Sequence, residues 1–337
     1  MKLAVIGLGC WGLVLTEMLT DNFDEVAGWS REEDLSEELR LYNRASKPYK
    51  VQLKDKVKIT TDMKEAIEGA DIILLVVATS ATRIVCEQLK AAGIQKNQIL
   101  VNASKGIELP SLKRMSEVIR DVLPEQKLVI LSGPTLAEEV LNKCPTAACV
   151  ASEDIETAKF AQKYLNVKGR FRLYTNTDVI GVELGGSLKN VIAIAAGFID
   201  ELKIGDNARG ALLTRGMAEI VRVSVNLGAN PSTMWGLSGM GDLIATCSSP
   251  LSRNHKVGAM LAQGKKIEDI LTELGSVAEG VKTSRAICEL AKKLNIEAPL
   301  SNAIYEAVYS KENSKEIFLN LMNRELKGEE TFGVAHK

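Results

Sequence analysis

Residues 3–12 read Leu-Ala-Val-Ile-Gly-Leu-Gly-Cys-Trp-Gly: a short apolar run that breaks into a G-x-G-x-x-G spacing at Gly7, Gly9 and Gly12. Leu3–Ile6 has the length and apolarity of a buried strand, and the residues beyond Gly12 suit a helix. A glycine spacing alone is weak. Between a strand and a helix it has mechanical sense, because the glycines permit the tight turn, the close approach of a pyrophosphate and close packing of helix on strand. The helix start also presents free amides and a favourable dipole to phosphate groups.

Working outward, Glu25–Trp29 predicts a second strand, followed by Ser30-Arg31. An acid at that strand end would take the ribose 2′-hydroxyl, whereas a hydroxyl and a cation accommodate the 2′-phosphate of NADP. Glu32 and Glu33 follow, so both NADP(H) and NAD(H) stay open. Ile72–Val77, Ile99–Asn102, Leu128–Leu131, Ala147–Ala151 and Phe171–Tyr174 predict further strands, with helical stretches at Met63–Glu68, Thr82–Leu89 and Leu112–Val122 between them. That alternation predicts an α/β fold, an N-terminal doubly wound Rossmann-type domain whose sheet is parallel with right-handed crossovers, over residues 1–178. Past Asp178 the β-branched runs stop. Leu300, Ala303, Ile304, Ala307 and Val308 fall on one helix face, as do Ala286, Ile287, Leu290, Ala291 and Leu294, which predicts a C-terminal all-helical domain over residues 179–337.

The 337 residues carry 42 Lys+Arg against 43 Asp+Glu, a net charge of -1. No global basic field is available for nucleic acid, and an anionic small molecule needs a local basic pocket. Two histidines, His255 and His336, and six cysteines without a C-x-x-C pair argue against a metal site and for reduced thiols in a cytoplasmic protein. Glycines interrupt Leu3–Leu15 and no cleavage signal follows it. Runs such as Val191–Ile199 fall short of the ~20 residues of a membrane span.

The most informative segment is Val179–Ile199, in which only Glu183 and Lys189 carry charge. A helix apolar nearly all round is buried, and an ammonium inside it is costly unless paired. Desolvation favours proton exchange by such a lysine nearer neutral pH. Lys189 is therefore the candidate general acid/base, and Asp242, in Gly239-Met240-Gly241-Asp242-Leu243, is a candidate counter-charge. Lys105 and Ser132-Gly133-Pro134-Thr135 follow strand ends, where open α/β sheets bind ligands. Arg253, in Ser252-Arg253-Asn254-His255, has the planar fork suited to a phosphate.

Taken together, the segments resemble the bacterial-type NAD(P)-dependent glycerol-3-phosphate dehydrogenases. The matching pieces are GLGCWG (7–12), SKGIE (104–108), SGPT (132–135), GVELGGSLKNVIAIAAG (181–197), NARGALLTRG (207–216), GMGDL (239–243), SRNHKVG (252–258) and VAEG (277–280), in the family's order. The resemblance implies reversible reduction of dihydroxyacetone phosphate to sn-glycerol 3-phosphate, a phospholipid precursor, with Lys189 moving the proton. It implies a substrate site of Lys105, Gly133, Thr135, Lys189, Asp242, Ser252, Arg253 and Asn254. Beyond the glycines, it implies dinucleotide contacts from Cys10, Trp11, Arg31, Lys105, Ala137, Arg253, Val277 and Glu279, and a homodimer. Cys10 stands where the family usually has serine, and Thr135 keeps the hydroxyl of a family serine.

Overall fold

Leu3 and Val5 join one apolar core while Ala4 and Ile6, on the opposite face, are equally buried. A strand covered on both faces belongs inside a helix-flanked parallel sheet. The structure, a computed structural model, describes residues 1–46, 50–275, 277–310, 314–326 and 328–329. It divides into two compact units: Met1–Ser104 with Met115–Val179, and Lys105–Arg114 with the chain from Ile180 onward.

The strands of the first unit are β1 (Lys2–Ile6), β2 (Glu25–Trp29), β3 (Arg44–Ala45), β4 (Val51–Gln52), β5 (Val57–Thr60), β6 (Ile72–Leu75), β7 (Ile99–Asn102), β8 (Lys127–Ser132), β9 (Thr146–Ala151) and β10 (Phe171–Asn176). Eight form one sheet in the order β10-β9-β8-β7-β6-β1-β2-β5, and β3 and β4 make a separate small antiparallel pair. From β1 the chain steps outward through β2 to β5, then returns to β6 on the other side of β1 and continues to β7 and β8. The strand order reverses at β1 and β6, the crevice where doubly wound sheets take ligands.

One expectation needs correction. The sheet is parallel from β5 to β8, but β9 runs antiparallel to β8, and β10 runs parallel to β9. A buried strand's residue pattern carries no direction, so alternation with helices could not reveal the reversal. The edge strand β5, Val-Lys-Ile-Thr, has only two buried residues and gave too short a signal to be read. The helix read from Leu112 begins at Met115, because Lys105–Arg114 is built into the second unit.

The second unit is built on the Val179–Glu201 and Asp206–Asn226 helices, followed by Asp242–Ser248, Arg253–Ala262, Ile267–Leu274, Glu279–Leu294, Pro299–Tyr309 and Ser314–Asn320. Its core runs along the first of these, from Leu184 to Phe198, and takes in both predicted apolar stripes except Leu294, which is exposed. Val179–Glu201 has the length and composition of a membrane span, yet 94% of its most apolar 18-residue window is buried in the protein. Two glycines set its closest crossing. A Cβ at Gly197 would lie 1.9 Å from the His255 carbonyl oxygen, and one at Gly258 would lie 1.7 Å from that of Ile194. Backbone therefore packs on backbone between the helices that carry Lys189 and Arg253.

Candidate active site

In the first unit the candidate groups follow the carboxyl ends of parallel strands. Gly7 continues from β1, donating its amide to the Trp29 carbonyl at 2.9 Å. Its φ is +103°, and an added Cβ would sit 2.4 Å from the Val76 carbonyl oxygen. A Cβ at Gly12 would sit 1.9 Å from the Gly7 oxygen. Protein packing demands both glycines. Gly9 differs: its φ of −71° suits any residue, and among the described residues nothing beyond its immediate chain neighbours comes within 4 Å of a Cβ there. The bare position opens outward at the start of the Cys10–Leu19 helix, whose first turn has no acidic residue. That cradle fits a dinucleotide pyrophosphate, because it stands at a helix N-terminus whose first turn carries no carboxylate. Cys10 is partly exposed, and Trp11 packs its ring against the core.

Ser30, buried after β2, is held by Thr60 and accepts the Glu32 amide through Oγ, while Arg31 points into solvent. After β7, Asn102 and Ser104 brace each other, and Ser104 Oγ donates to the Val77 carbonyl at 2.6 Å. After β8, Gly133 adopts φ +143° with its Cα face against Ala148, so a Cβ would come within 2.9 Å of backbone. Thr135 Oγ1 donates to the Gly133 carbonyl, and Ala137 opens a short helix.

The second unit gathers the charged chemistry. Lys189 Nζ donates to Asp242 Oδ1 at 2.7 Å and to Thr246 Oγ1 at 2.5 Å. Thr246 in turn donates to the same carboxylate oxygen at 3.2 Å. Lys105 Nζ takes the other oxygen, Oδ2, at 2.8 Å. One carboxylate thus serves two ammonium groups, with side-chain exposures of 1% for Asp242, 8% for Lys189 and 17% for Lys105. Burial pushes the Lys105 ammonium down to about 8, with Lys189 adding repulsion and Asp242 opposing the drop. The neighbouring Cys247 thiol is pushed up to about 12 by burial, which makes it inert as a nucleophile.

Ser252 caps the Arg253–Ala262 helix by accepting the His255 amide, and Arg253 stands exposed at the first helical position. Asn254 is turned inward. Its Nδ2 donates to Asn190 Oδ1 and its Oδ1 accepts the Gly280 amide, both at 2.9 Å. Asn254 therefore ties the Lys189 helix to the start of the Glu279–Leu294 helix, beside Glu279, with Val277 exposed two residues earlier. His255 Nε2 lies 2.8 Å from Asp200 Oδ2. His336 lies outside the described residues. Among the described residues no group of His, Cys, Asp or Glu is arranged to hold a metal.

Two members of this cluster were not singled out in the sequence, Thr246 and Asn190. Thr246 follows Asp242 by four residues on one helix, a spacing that puts both on the same face. Asn190 is the polar residue beside Lys189 in a mostly apolar helix. Both signals were present.

Comparison with known proteins covers both units. Residues 2–158 match the family model of the NAD-dependent glycerol-3-phosphate dehydrogenase N-terminus, and residues 178–319 match that of the C-terminus. A glycerol-3-phosphate dehydrogenase, NAD(P)+, of Limosilactobacillus reuteri (strain DSM 20016) is 44% identical over 334 residues, covering 97% of this chain and 98% of its own. One from Listeria monocytogenes serotype 4b (strain CLIP80459) is 43% identical over 331 residues, with 97% of each chain covered. The crystal structure of glycerol-3-phosphate dehydrogenase from Coxiella burnetii superposes with a TM-score of 0.90 at 33% identity, covering 96% of this chain and 99% of that one.

Proposed function

The chain belongs to the NAD-dependent glycerol-3-phosphate dehydrogenase family, and from that premise we propose how its residues divide the work. The reaction is the reversible NAD(P)H-dependent reduction of dihydroxyacetone phosphate to sn-glycerol 3-phosphate, which supplies the backbone of glycerophospholipids. The observation that carries the assignment is the buried Lys189–Asp242–Lys105 cluster.

When bound, the reduced nicotinamide supplies a hydride for the C2 carbonyl carbon. Lys189, as ammonium, donates its proton to the carbonyl oxygen, which becomes the C2 hydroxyl; in the reverse direction the neutral amine takes that proton back. Asp242 and Thr246 fix Nζ, so no reorientation is needed as charge develops. Lys105 adds a second positive charge beside the same oxygen. Arg253 holds the substrate phosphate through its fork, and Gly133, Thr135, Ser252 and Asn254 complete the substrate site. Binding energy from the phosphate helps orient the reacting carbon.

Gly7, Gly9, Gly12, Cys10 and Trp11 hold the pyrophosphate end of the dinucleotide, and Arg31 meets a 2′-phosphate. Ala137, Lys105, Arg253, Val277 and Glu279 supply further dinucleotide contacts. On this reading residues 1–178 are the dinucleotide-binding Rossmann-type domain and residues 179–337 the helical substrate-binding domain, with Lys105, Gly133 and Thr135 of the first serving substrate and Arg253, Val277 and Glu279 of the second serving the dinucleotide. The chain works in the cytoplasm with no membrane span and no nucleic-acid partner, a reading supported by six free thiols, the burial of its most apolar helix and a net charge of -1. A homodimer is supported by the family resemblance, and light scattering tests it.

The purified protein should oxidise NADPH or NADH only when dihydroxyacetone phosphate is added. Lys189→Ala should lower kcat by roughly 10²–10⁴ with cofactor affinity little changed. A folded protein without turnover overturns the reading, and a Lys189→Ala variant with near-normal kcat moves the proton role elsewhere.

A further inference from the structure

The segment Lys105–Arg114 brings Lys105 to Asp242 from a remote part of the chain, and something must keep it there. At its far end, Arg114 Nη1 meets Glu183 Oε2 at 2.6 Å. Glu183 lies on the Lys189 helix, six residues earlier, or about 9 Å along the axis. Glu183 is buried and Arg114 largely so, with side-chain exposures of 4% and 16%. Glu183 and Lys189 are the only two charged residues of Val179–Ile199, and each faces an opposite charge from elsewhere in the chain, Arg114 and Asp242.

Between its ends the segment is closed on itself. Ile107 and Arg114 form an antiparallel bridge, and the Glu108 amide donates to the Lys113 carbonyl at 2.9 Å. Ile107 is sealed into the core of the unit, with Leu109 and Leu112 packed against it. A shift at Arg114 therefore reaches Ile107 directly across the bridge, and Lys105 is two residues further on. The segment is tied to the Lys189 helix at two charged points, Arg114–Glu183 and Lys105–Asp242–Lys189.

We propose that Glu183 and Arg114 are positioning residues for the reaction: their buried ion pair holds the 105–114 hairpin in register so that Lys105 Nζ meets Asp242 beside Lys189. The proposal rests on the reading that Lys105 serves the dihydroxyacetone phosphate site. A buried ion pair is weak evidence for stability, since apolar pairs of similar volume often replace one at no cost. Its geometry, linking the hairpin to the catalytic helix, is what a positional role requires.

The test is a double-mutant cycle on the intact enzyme, with kcat/KM for dihydroxyacetone phosphate as readout and thermal unfolding as control. Glu183→Gln should lower kcat/KM about tenfold, the scale of a modest misplacement. In a Lys105→Ala background the same change should cost less than about twofold, because the group it positions is gone. Glu183→Asp, which keeps the charge, should recover part of the loss. If Glu183→Gln does not fold, Arg114→Lys, which keeps charge but not the fork, replaces it in the cycle. Equal losses in both backgrounds overturn the positioning role. A Lys105→Ala variant of full activity overturns the underlying reading of Lys105, and the proposal with it.

Discussion

Asp242 accepts from two ammonium groups at 2.7 and 2.8 Å, so the buried cluster of Lys189, Asp242 and Lys105 carries one more positive than negative charge when both lysines are protonated. An excess of that sign suits an anionic substrate and a developing oxyanion. The phosphate itself needs a cation with donor geometry, and Arg253, exposed at its helix start, is the residue proposed for it. A hydrogen bond to a charged group is worth about 1.5–3 kcal/mol. Arg253→Ala should therefore cut kcat/KM for dihydroxyacetone phosphate roughly 10- to 150-fold, with Arg253→Lys recovering only part. Unphosphorylated dihydroxyacetone should be nearly indifferent, and equal losses with both substrates would reassign Arg253 to the dinucleotide or the fold. At the other end of the chemistry, Arg31 is exposed beside Glu32 and Glu33. Arg31→Asp should raise KM for NADPH far more than for NADH, by repulsion from the 2′-phosphate; equal changes mean that Arg31 does not touch it. The pairing of Lys189 with Asp242 was legible because each is a charge in an uncommon setting. The partnership of Lys105 with Asp242 was not, because 137 residues separate them and no local pattern links the two.

Helices position these side chains through backbone contacts that only small residues allow, and through caps supplied by other elements. Glu219, 3% exposed on the Asp206–Asn226 helix, caps a different helix: its carboxylate accepts the amides of Leu300 and Ser301 at 2.9 Å and the Ser301 hydroxyl at 2.6 Å. Burial pushes its carboxyl up, while the three donors pull it down. Glu219→Ala leaves two amides at a buried helix start without an acceptor. It should cost about 2–4 kcal/mol of unfolding free energy and leave KM for dihydroxyacetone phosphate unchanged, because Glu219 touches none of the cluster. Denaturant unfolding and initial rates on one preparation check both halves. Element type was largely readable from sequence. The 3.6-residue stripe of Leu300–Val308 and the unbroken apolarity of Ile72–Leu75 each had one physical explanation. Strand direction was not readable, as β9 and β10 show. The excursion of Lys105–Arg114 was also hidden, since Leu109 and Leu112 look the same whichever core receives them.

At the scale of the whole molecule, a charge buried for chemistry is a charge that folding must tolerate. Unfolding returns Lys105 to its ordinary value of 10.5, whereas in the folded protein burial holds it at about 8. Between those values the unfolded chain binds more protons at Lys105 than the folded one, so stability from this group rises with pH. Above 10.5 Lys105 is neutral in both states and costs nothing. As pH falls from 10.5 toward 8 the penalty grows, and below about 8 it is fully present. Its size is on the order of 3 kcal/mol. Lys105→Met keeps much of the stem's packing and removes the charge, and Asp242 retains its bond to Lys189. The variant should therefore be more stable than the natural chain at pH 7, and the advantage should shrink as pH approaches 10.5. Its turnover of dihydroxyacetone phosphate should be lower than that of the natural chain. Paired denaturant titrations at pH 7 and pH 10 measure the difference, and the comparison between chains cancels groups that titrate alike in both. A variant that is less stable at pH 7, or whose advantage does not change with pH, would show that the Asp242 bond outweighs burial and that Lys105 is part of what holds the second unit together.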